Sequence, residues 1–169
     1  MDNTENTTAV RPDPRLTLHF IATGFGSGLL PRMPGTWGSL AALPFGLALL
    51  ALPTIWMAVV IALATVVGIW ICNKVSKDMG VHDHDAIVWD EFVGMWIAML
   101  FLPAEHTLLW ALVAFVAFRL FDVWKPGFIG HIDRTMKGGK GIMLDDVLAG
   151  FAALFVVQSL VFLASFFGV

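Results

Sequence analysis

Long uncharged hydrophobic runs alternate with short charged segments along this chain. The longest run extends from Ser39 to Cys72 without a single charged residue. As one straight helix it would measure about 50 Å at 1.5 Å per residue, well beyond a hydrocarbon core of about 30 Å. Because Pro53 offers a break, the run predicts two helices at 39–52 and 54–72. Thr36 or Ser39 is a suitable N-cap for the first of them.

The other hydrophobic runs predict helices at 92–103, at 107–121 and from about residue 145 to the C-terminus. A polar loop at 73–91 and a charged segment at 122–146 separate them. The pattern therefore predicts an all-α fold, a small polytopic membrane bundle of short hairpin helices.

Residues 16–30 are apolar but shorter than the roughly 17 residues that a membrane span needs. We interpret this glycine-rich segment as an interfacial or re-entrant helix. Residues 1–15 are polar and contain no signal-peptide pattern, which predicts a disordered tail. The rest of the chain, 16–169, is expected to form one membrane-embedded domain.

Composition supports the membrane assignment. Hydrophobic residues make up 58% of the chain and charged residues 14%, against roughly 25% charged residues in soluble domains. A net charge of −3 gives no reason to expect nucleic acid as a partner. Cys72 is the only cysteine, which excludes a disulfide framework and a cysteine-based zinc site.

The order of the hydrophobic runs also predicts the topology. Two apolar hairpins, 39–72 and 92–121, return the chain to the side from which it entered, so the loops between them share one face. All ten Lys and Arg residues lie on that face, provided that segment 16–30 does not cross. Such an excess predicts that this face is cytoplasmic. If segment 16–30 does cross, the N-terminal tail lies outside.

Five carboxylates occur at predicted helix ends on this face, and they are the candidate metal ligands: Asp90, Glu91, Asp122, Asp145 and Asp146. Oxygen ligands of this kind suit Mg²⁺, which commonly binds one or two carboxylates together with substrate phosphate. The alternative is that the acids only favour helix N-termini electrostatically. Five of them on one face of a chain with so few charges favour the metal site.

Cations and glycines alternate with these acids in the charged segment. The candidate phosphate-binding residues there are Lys125, Arg134, Lys137, Gly138, Gly139 and Lys140. Glycines leave backbone N–H groups accessible to an anion. Contact between the lysines and lipid headgroups is the competing interpretation. The spacing of a nucleotide-binding P-loop is absent.

Histidine and aspartate alternate at residues 82–85, shortly before Asp90. Histidine titrates near neutral pH and can act as an acid or base, so His82 is a candidate for protonating a leaving group. We include Asp83 with it as a candidate catalytic residue. A solvated loop is the alternative.

Four motifs together resemble the phosphatidylglycerophosphatase A family: LPRMPGTWGS at 30–39, VHDHDAIVWDEFVGMWI at 81–97, FRLFDVWKP at 118–126 and IDRTMKGGKGIMLDDVLAG at 132–150. They occur in the family's order. The resemblance implies a bacterial inner-membrane enzyme that converts phosphatidylglycerophosphate to phosphatidylglycerol and inorganic phosphate and depends on Mg²⁺.

The candidate site residues lie within these four motifs. The candidate catalytic residues are His82, Asp83, Asp90, Glu91, Asp122 and Asp146. Arg32, Thr36 and Ser39, in the first motif, are added to the candidate phosphate-binding residues. A metal-bound water or one of the aspartates would attack phosphorus, and the sequence leaves both open. It also leaves open the oligomeric state and the selectivity among phosphomonoester lipids.

Three other functions compete with this one. A CDP-alcohol phosphatidyltransferase would carry a D-G-x-x-A-R motif, which this chain lacks. A transporter or channel needs polar groups at mid-depth in the membrane, yet residues 39–72, 92–104 and 107–118 contain no charge. A structural subunit whose polar face binds a partner protein is the third possibility.

Overall fold

The computed structural model describes residues 12–81 and 84–167, and every regular element within those ranges is helical. The α-helices are α1 Thr17–Ala22, α2 Pro34–Leu49, α3 Thr54–Met79, α4 Trp89–Ala98, α5 Thr107–Trp124, α6 Phe128–Thr135 and α7 Gly139–Phe166, with a 3-10 turn at Ser27–Leu29. The all-α prediction is confirmed.

Three helices are long and apolar enough to cross a membrane, namely α3, α5 and α7, with 26, 18 and 28 residues. Large apolar side chains on all three point away from the protein, among them Val66, Leu108 and Phe155. Exposed aliphatic and aromatic surface of this extent is stable in lipid but not in water. These three helices support the prediction of a helical membrane protein.

Several helix boundaries differ from the prediction. Helix α3 continues through the first residues of the expected polar loop and ends at Met79, where Gly80 adopts a left-handed conformation with φ of 70°. Glycine takes that conformation without steric cost, which makes it a common helix terminator. The expected loop at 73–91 is therefore much shorter.

The predicted N-cap of α2 is wrong. Helix α2 begins at Pro34 rather than near residue 39, and no side chain of the described residues caps it. Proline at the first helical position has no N–H to satisfy and a φ already suited to a helix. The hydroxyl of Ser39 instead donates to the carbonyl oxygen of Gly35 at 2.8 Å, inside the helix.

The charged segment at 122–146 is more helical than predicted. It contains the short helix α6, and α7 begins at Gly139, six residues before the expected start. Gly139 and Gly141 pack against the backbone carbonyls of Ile69 and Met136. These glycines permit close helix packing, which is why a glycine-rich sequence here is not a loop.

Helix α4 forms the centre of the fold. Every residue from Phe92 to Leu100 is buried, and α4 packs against α2, α3, α5 and α7. The indole N–H of Trp96 donates to the carbonyl oxygen of Ala42 at 3.1 Å. Helix α4 has only ten residues and measures about 15 Å. The turn that follows it contacts α7, where the side-chain amide of Gln158 donates to the carbonyl oxygen of Leu100 at 3.1 Å.

Segment 16–30 folds into α1 and the 3-10 turn, with six and three residues. Neither is long enough to cross a hydrocarbon core of about 30 Å. Phe25 within this segment stacks on Phe45 of α2, with ring centroids 5.3 Å apart. Residues 1–11 of the expected N-terminal tail lie outside the described residues.

Candidate active site

Helices α4 and α7 run in parallel and approach closely at a pair of glycines. A Cβ placed on Gly150 would lie 2.5 Å from the carbonyl oxygen of Gly94, and one placed on Gly94 would lie 2.8 Å from the carbonyl oxygen of Asp146. Close backbone approach of this kind requires glycine. It brings the first turn of α4, with Asp90 and Glu91, beside Asp146 in the second turn of α7.

The C-terminal end of α5 completes the arrangement. Arg119 forms an ion pair with Asp122 one turn later on the same helix. Lys125, in the left-handed conformation that ends α5, places its Nζ 2.6 Å from Oδ2 of Asp145. This second ion pair ties the end of α5 to α7.

Three of these carboxylates form a compact cluster. Asp90, Glu91 and Asp146 each offer an oxygen within 4.8 Å of the others. Asp146 is only 3% exposed, and Oε2 of Glu91 is buried without a hydrogen bond from the described part of the chain. Burial of anions at such close range is costly without a compensating charge. Their carboxylate oxygens are the donors that Mg²⁺ prefers, so these residues fit a divalent cation.

The cluster lies in a cavity of about 370 Å³, which we call the carboxylate cavity. Its charged lining residues are Asp85, Asp90, Glu91, Arg119, Asp122, Lys125, Asp145 and Asp146. Six acids against two cations leave a formal excess of four negative charges. A cavity with this charge attracts cations, and it repels a phosphate unless bound cations shield the acids.

The N-terminal end of α2 forms another wall of the carboxylate cavity. A Cβ on Gly35 would collide with Oε1 of Glu91 and would lie 3.1 Å from Nη1 of Arg119. Glycine therefore lets α2 begin directly against the acid cluster. The N-terminal end of a helix carries a partial positive charge, so the start of α2 offsets part of the negative charge of the cavity.

The structure brings together six of the residues predicted from sequence: Asp90, Glu91, Asp122, Lys125, Asp145 and Asp146. The prediction that Asp145 and Asp146 open the last helix is wrong, because they lie in its second turn. His82 and Asp83 lie outside the described residues, so their catalytic role stays a prediction.

The other predicted phosphate-binding residues do not line the carboxylate cavity. Arg32 lines a neighbouring cavity with His84 and Asp85. Thr36 and Ser39 lie within α2, and Arg134 lies on α6. Lys137, Gly138, Gly139 and Lys140 lie at the junction of α3 and α7.

Arg119 and Gly35 contribute to the cavity although neither was among the predicted site residues. Arg119 precedes Asp122 by three positions on a predicted helix, a spacing that places two side chains on one face, so the sequence did carry that signal. Gly35 carried none, because its contact with Glu91 depends on how α2 meets α4.

Comparison with known proteins agrees with the resemblance of the four sequence motifs. The family model for phosphatidylglycerophosphatase A matches residues 20–161. A protein named phosphatidylglycerophosphatase A from Escherichia coli K12 is 50% identical over 132 residues, which cover 78% of this chain and 76% of that protein. Its namesake from Haemophilus influenzae is 47% identical over 141 residues, 83% of this chain and 86% of the relative.

A third relative has a different name. A Bacteroides thetaiotaomicron protein, provisionally named a phosphatidylinositol-3-phosphatase, is 42% identical over 136 residues, which cover 77% of this chain and 84% of the relative. No solved structure is significantly similar. The family match extends over most of the chain and includes the acids of α4 and α7, so this protein belongs to the phosphatidylglycerophosphatase A family.

Proposed function

We propose that this protein is a Mg²⁺-dependent lipid phosphatase of phospholipid biosynthesis. It hydrolyses the terminal phosphomonoester of phosphatidylglycerophosphate to phosphatidylglycerol and inorganic phosphate. The observation that carries the proposal is the cluster of Asp90, Glu91 and Asp146, set in a cavity where the ends of apolar helices meet. The names of the two phosphatidylglycerophosphatase A relatives support the choice of substrate.

Asp90, Glu91 and Asp146 are the residues that would hold the metal. When bound there, Mg²⁺ would neutralise charge on the phosphate oxygens and promote attack by water. Asp122 and Asp145 lie in the same cavity but are ion-paired with Arg119 and Lys125. Their first contribution is therefore to orient these two cations.

Arg119 and Lys125 bind the transferred phosphoryl group. Both side chains are largely covered, with relative exposures of 17% and 28%, so their charges are less screened than those of surface residues. A guanidinium can bind two phosphate oxygens at once, whereas an ammonium acts as a point charge. Negative charge spreads over the phosphoryl oxygens during transfer, and these two groups stabilise it.

Water is the nucleophile in this proposal. Its oxygen forms a bond to phosphorus while the bond from phosphorus to the glycerol oxygen breaks. A cavity carboxylate accepts the proton from water, and the glycerol oxygen takes up a proton as it leaves. The products are inorganic phosphate and a lipid with a free hydroxyl group, which balances the reaction.

The membrane context follows from the same helices. The apolar surfaces of α3, α5 and α7 would lie in the bilayer, so the acyl chains of a lipid substrate stay in the hydrocarbon while its headgroup enters the carboxylate cavity. We place the protein in the bacterial inner membrane with this cavity toward the cytoplasm, because lysine and arginine concentrate on the cytoplasmic side of membrane proteins.

The test is phosphate release by the detergent-purified protein from phosphatidylglycerophosphate, with Mg²⁺ and with EDTA. We expect release that requires Mg²⁺ and that Asp146→Asn reduces at least about 100-fold, the loss typical of a group that acts in the transition state. Glu105→Gln is the matched control, because Glu105 is exposed and lies in the turn before α5. Equal activity of wild type and Asp146→Asn would overturn the proposal.

The same assay tests the choice of lipid. Phosphatidylinositol 3-phosphate and phosphatidic acid are compared with phosphatidylglycerophosphate at equal concentration in the same micelles. We expect the highest kcat/KM with phosphatidylglycerophosphate. Preference for phosphatidylinositol 3-phosphate would assign this chain the activity in the name of the Bacteroides relative.

A further inference from the structure

A second polar region lies where the first turn of α7 crosses the C-terminal part of α3. Two adjoining cavities of about 350 and 340 Å³ share Asn73 and meet at Gly138 and Gly139. We call them together the lysine groove. The residues that characterise it are Val66, Trp70, Asn73, Lys77, Lys137 and Lys140.

The lysine groove is separate from the carboxylate cavity. Among the described residues, the two share no lining residue. Lys140 precedes Asp146 by six positions in α7, and at about 100° per residue the two side chains point some 120° apart around the helix. Lys140 therefore faces the α3 side of α7, whereas Asp146 faces α4.

The charge of the groove is opposite to that of the cavity. Lys77, Lys137 and Lys140 line it, and none of its described lining residues is acidic. All three lysines are exposed. Lys74 is one turn before Asp78 and pairs with it outside the groove. The groove thus offers three ammonium groups to an anion.

The part of the lysine groove toward the middle of α3 is apolar. Val66, Ile69 and Trp70 line it, and all three belong to the candidate membrane span α3. Trp70 is 58% exposed. Tryptophan beside lysine near the end of a membrane span is typical of the level of the lipid headgroups. A ligand here would place its charge among the lysines and its hydrocarbon against α3.

Backbone packing fixes the shape of the groove. Gly138 has φ of 73°, and a Cβ on Gly139 would collide with the carbonyl oxygen of Ile69. The start of α7 therefore rests on α3, with Lys137 and Lys140 on either side of the contact. The first-turn N–H groups of α7 add a favourable potential for an anion at this end.

We propose that the lysine groove binds the phosphate of an anionic glycerophospholipid from the surrounding membrane, with an acyl chain along Val66 and Trp70. Basic pockets between membrane helices are suited to anionic headgroups. The bound lipid is separate from the substrate in the carboxylate cavity. This inference does not rest on the proposed catalytic function.

Lipid binding is measured by native mass spectrometry of the full-length protein in neutral detergent, with dioleoyl phosphatidylglycerol and dioleoyl phosphatidylcholine as probes. We expect preference for phosphatidylglycerol, and about 30-fold weaker binding after Lys137→Gln and Lys140→Gln together, from the usual contribution of each lysine near an anionic surface. Lys74→Gln is the matched control and should change binding less than about threefold. Unchanged binding in the double variant would overturn the proposal.

Two further measurements distinguish a lipid site from a simple phosphate site and from a part of the substrate site. Glycerophosphoglycerol, the deacylated headgroup, should not displace the lipid; displacement at similar concentration would reveal a simple phosphate site and overturn the lipid assignment. The double variant should hydrolyse short-chain dihexanoyl phosphatidylglycerophosphate in neutral detergent as the wild type does. A loss there comparable to the loss in lipid binding would place these lysines in substrate binding and overturn the separate site.

Discussion

The contact between Gly94 and Gly150 sets the position of the carboxylates in this structure, and Gly150→Ala tests it. Each glycine follows a carboxylate by one helical turn: Gly94 follows Asp90, and Gly150 follows Asp146. A Cβ on residue 150 would lie 2.5 Å from the carbonyl oxygen of Gly94. Ordinary van der Waals contact begins at 3.4 Å, so α4 and α7 must separate by about 0.9 Å.

That separation sets the expected magnitude. A displacement of about 1 Å of a catalytic group can reduce the rate about 100-fold, and we expect a loss of that size in kcat/KM for phosphate release. The free energy of unfolding should change less than the free energy of the transition state does. The forced repacking costs about 1–3 kcal/mol, and replacing a helical glycine by alanine offsets roughly 0.5–1 kcal/mol of it.

The assay compares kcat/KM and thermal unfolding in the same detergent. Gly80→Ala is the control, because a Cβ there meets nothing within 4 Å while its φ of 70° strains an alanine. The control should lose about 1–2 kcal/mol of stability and keep its activity. A folded Gly150→Ala protein with kcat/KM within about threefold of wild type would refute the argument that this contact positions the acids.

Three further predictions follow from the same geometry. Mg²⁺ at 100 times its Kd should stabilise the wild type by about 2.7 kcal/mol, measured as a rise in the melting temperature. Asp146→Asn should abolish that rise. In EDTA this variant should melt above the wild type, because the substitution removes the charge of one of the crowded acids. Lys125→Met should reduce phosphate release and destabilise the fold by about 1.5–3 kcal/mol, because a charged hydrogen bond to Asp145 is lost; unchanged thermal unfolding would contradict the ion pair. Trp96→Phe should cost about 1 kcal/mol of stability through loss of the bond to Ala42 and leave kcat nearly unchanged, as measured by unfolding and phosphate release.

Local patterns in the sequence were sufficient to predict the helices in the membrane and the acids at their ends. An uncharged run must satisfy its backbone polar groups internally in lipid, so it forms a helix whatever its neighbours are. The end of α2 near residue 50 and the start of α3 at Thr54 follow from Pro53, which cannot continue the preceding helix. Asp90 and Glu91 do open a helix, as predicted.

Boundaries within the charged segment were not predictable in this way. Residues 122–146 were expected to separate two helices, and the glycines at 138, 139 and 141 agree with that expectation because glycine disfavours helices in general. Contact with α3 outweighs that preference, since only glycine at residue 139 lets the two backbones meet. Once α7 begins at residue 139, helical rotation places Lys140 and Asp146 on different faces.

The sequence by itself determined an all-helical membrane protein of this family and the identity of its candidate metal ligands. The tertiary structure decided which charges act together. Asp90, Glu91 and Asp146 converge because Gly94 and Gly150 allow α4 and α7 to touch, while Arg119 and Lys125 enter the same cavity from the end of α5. The physical reason is that periodicity along one helix is a local property, whereas the register and rotation of one helix against another depend on contacts between residues far apart in the chain.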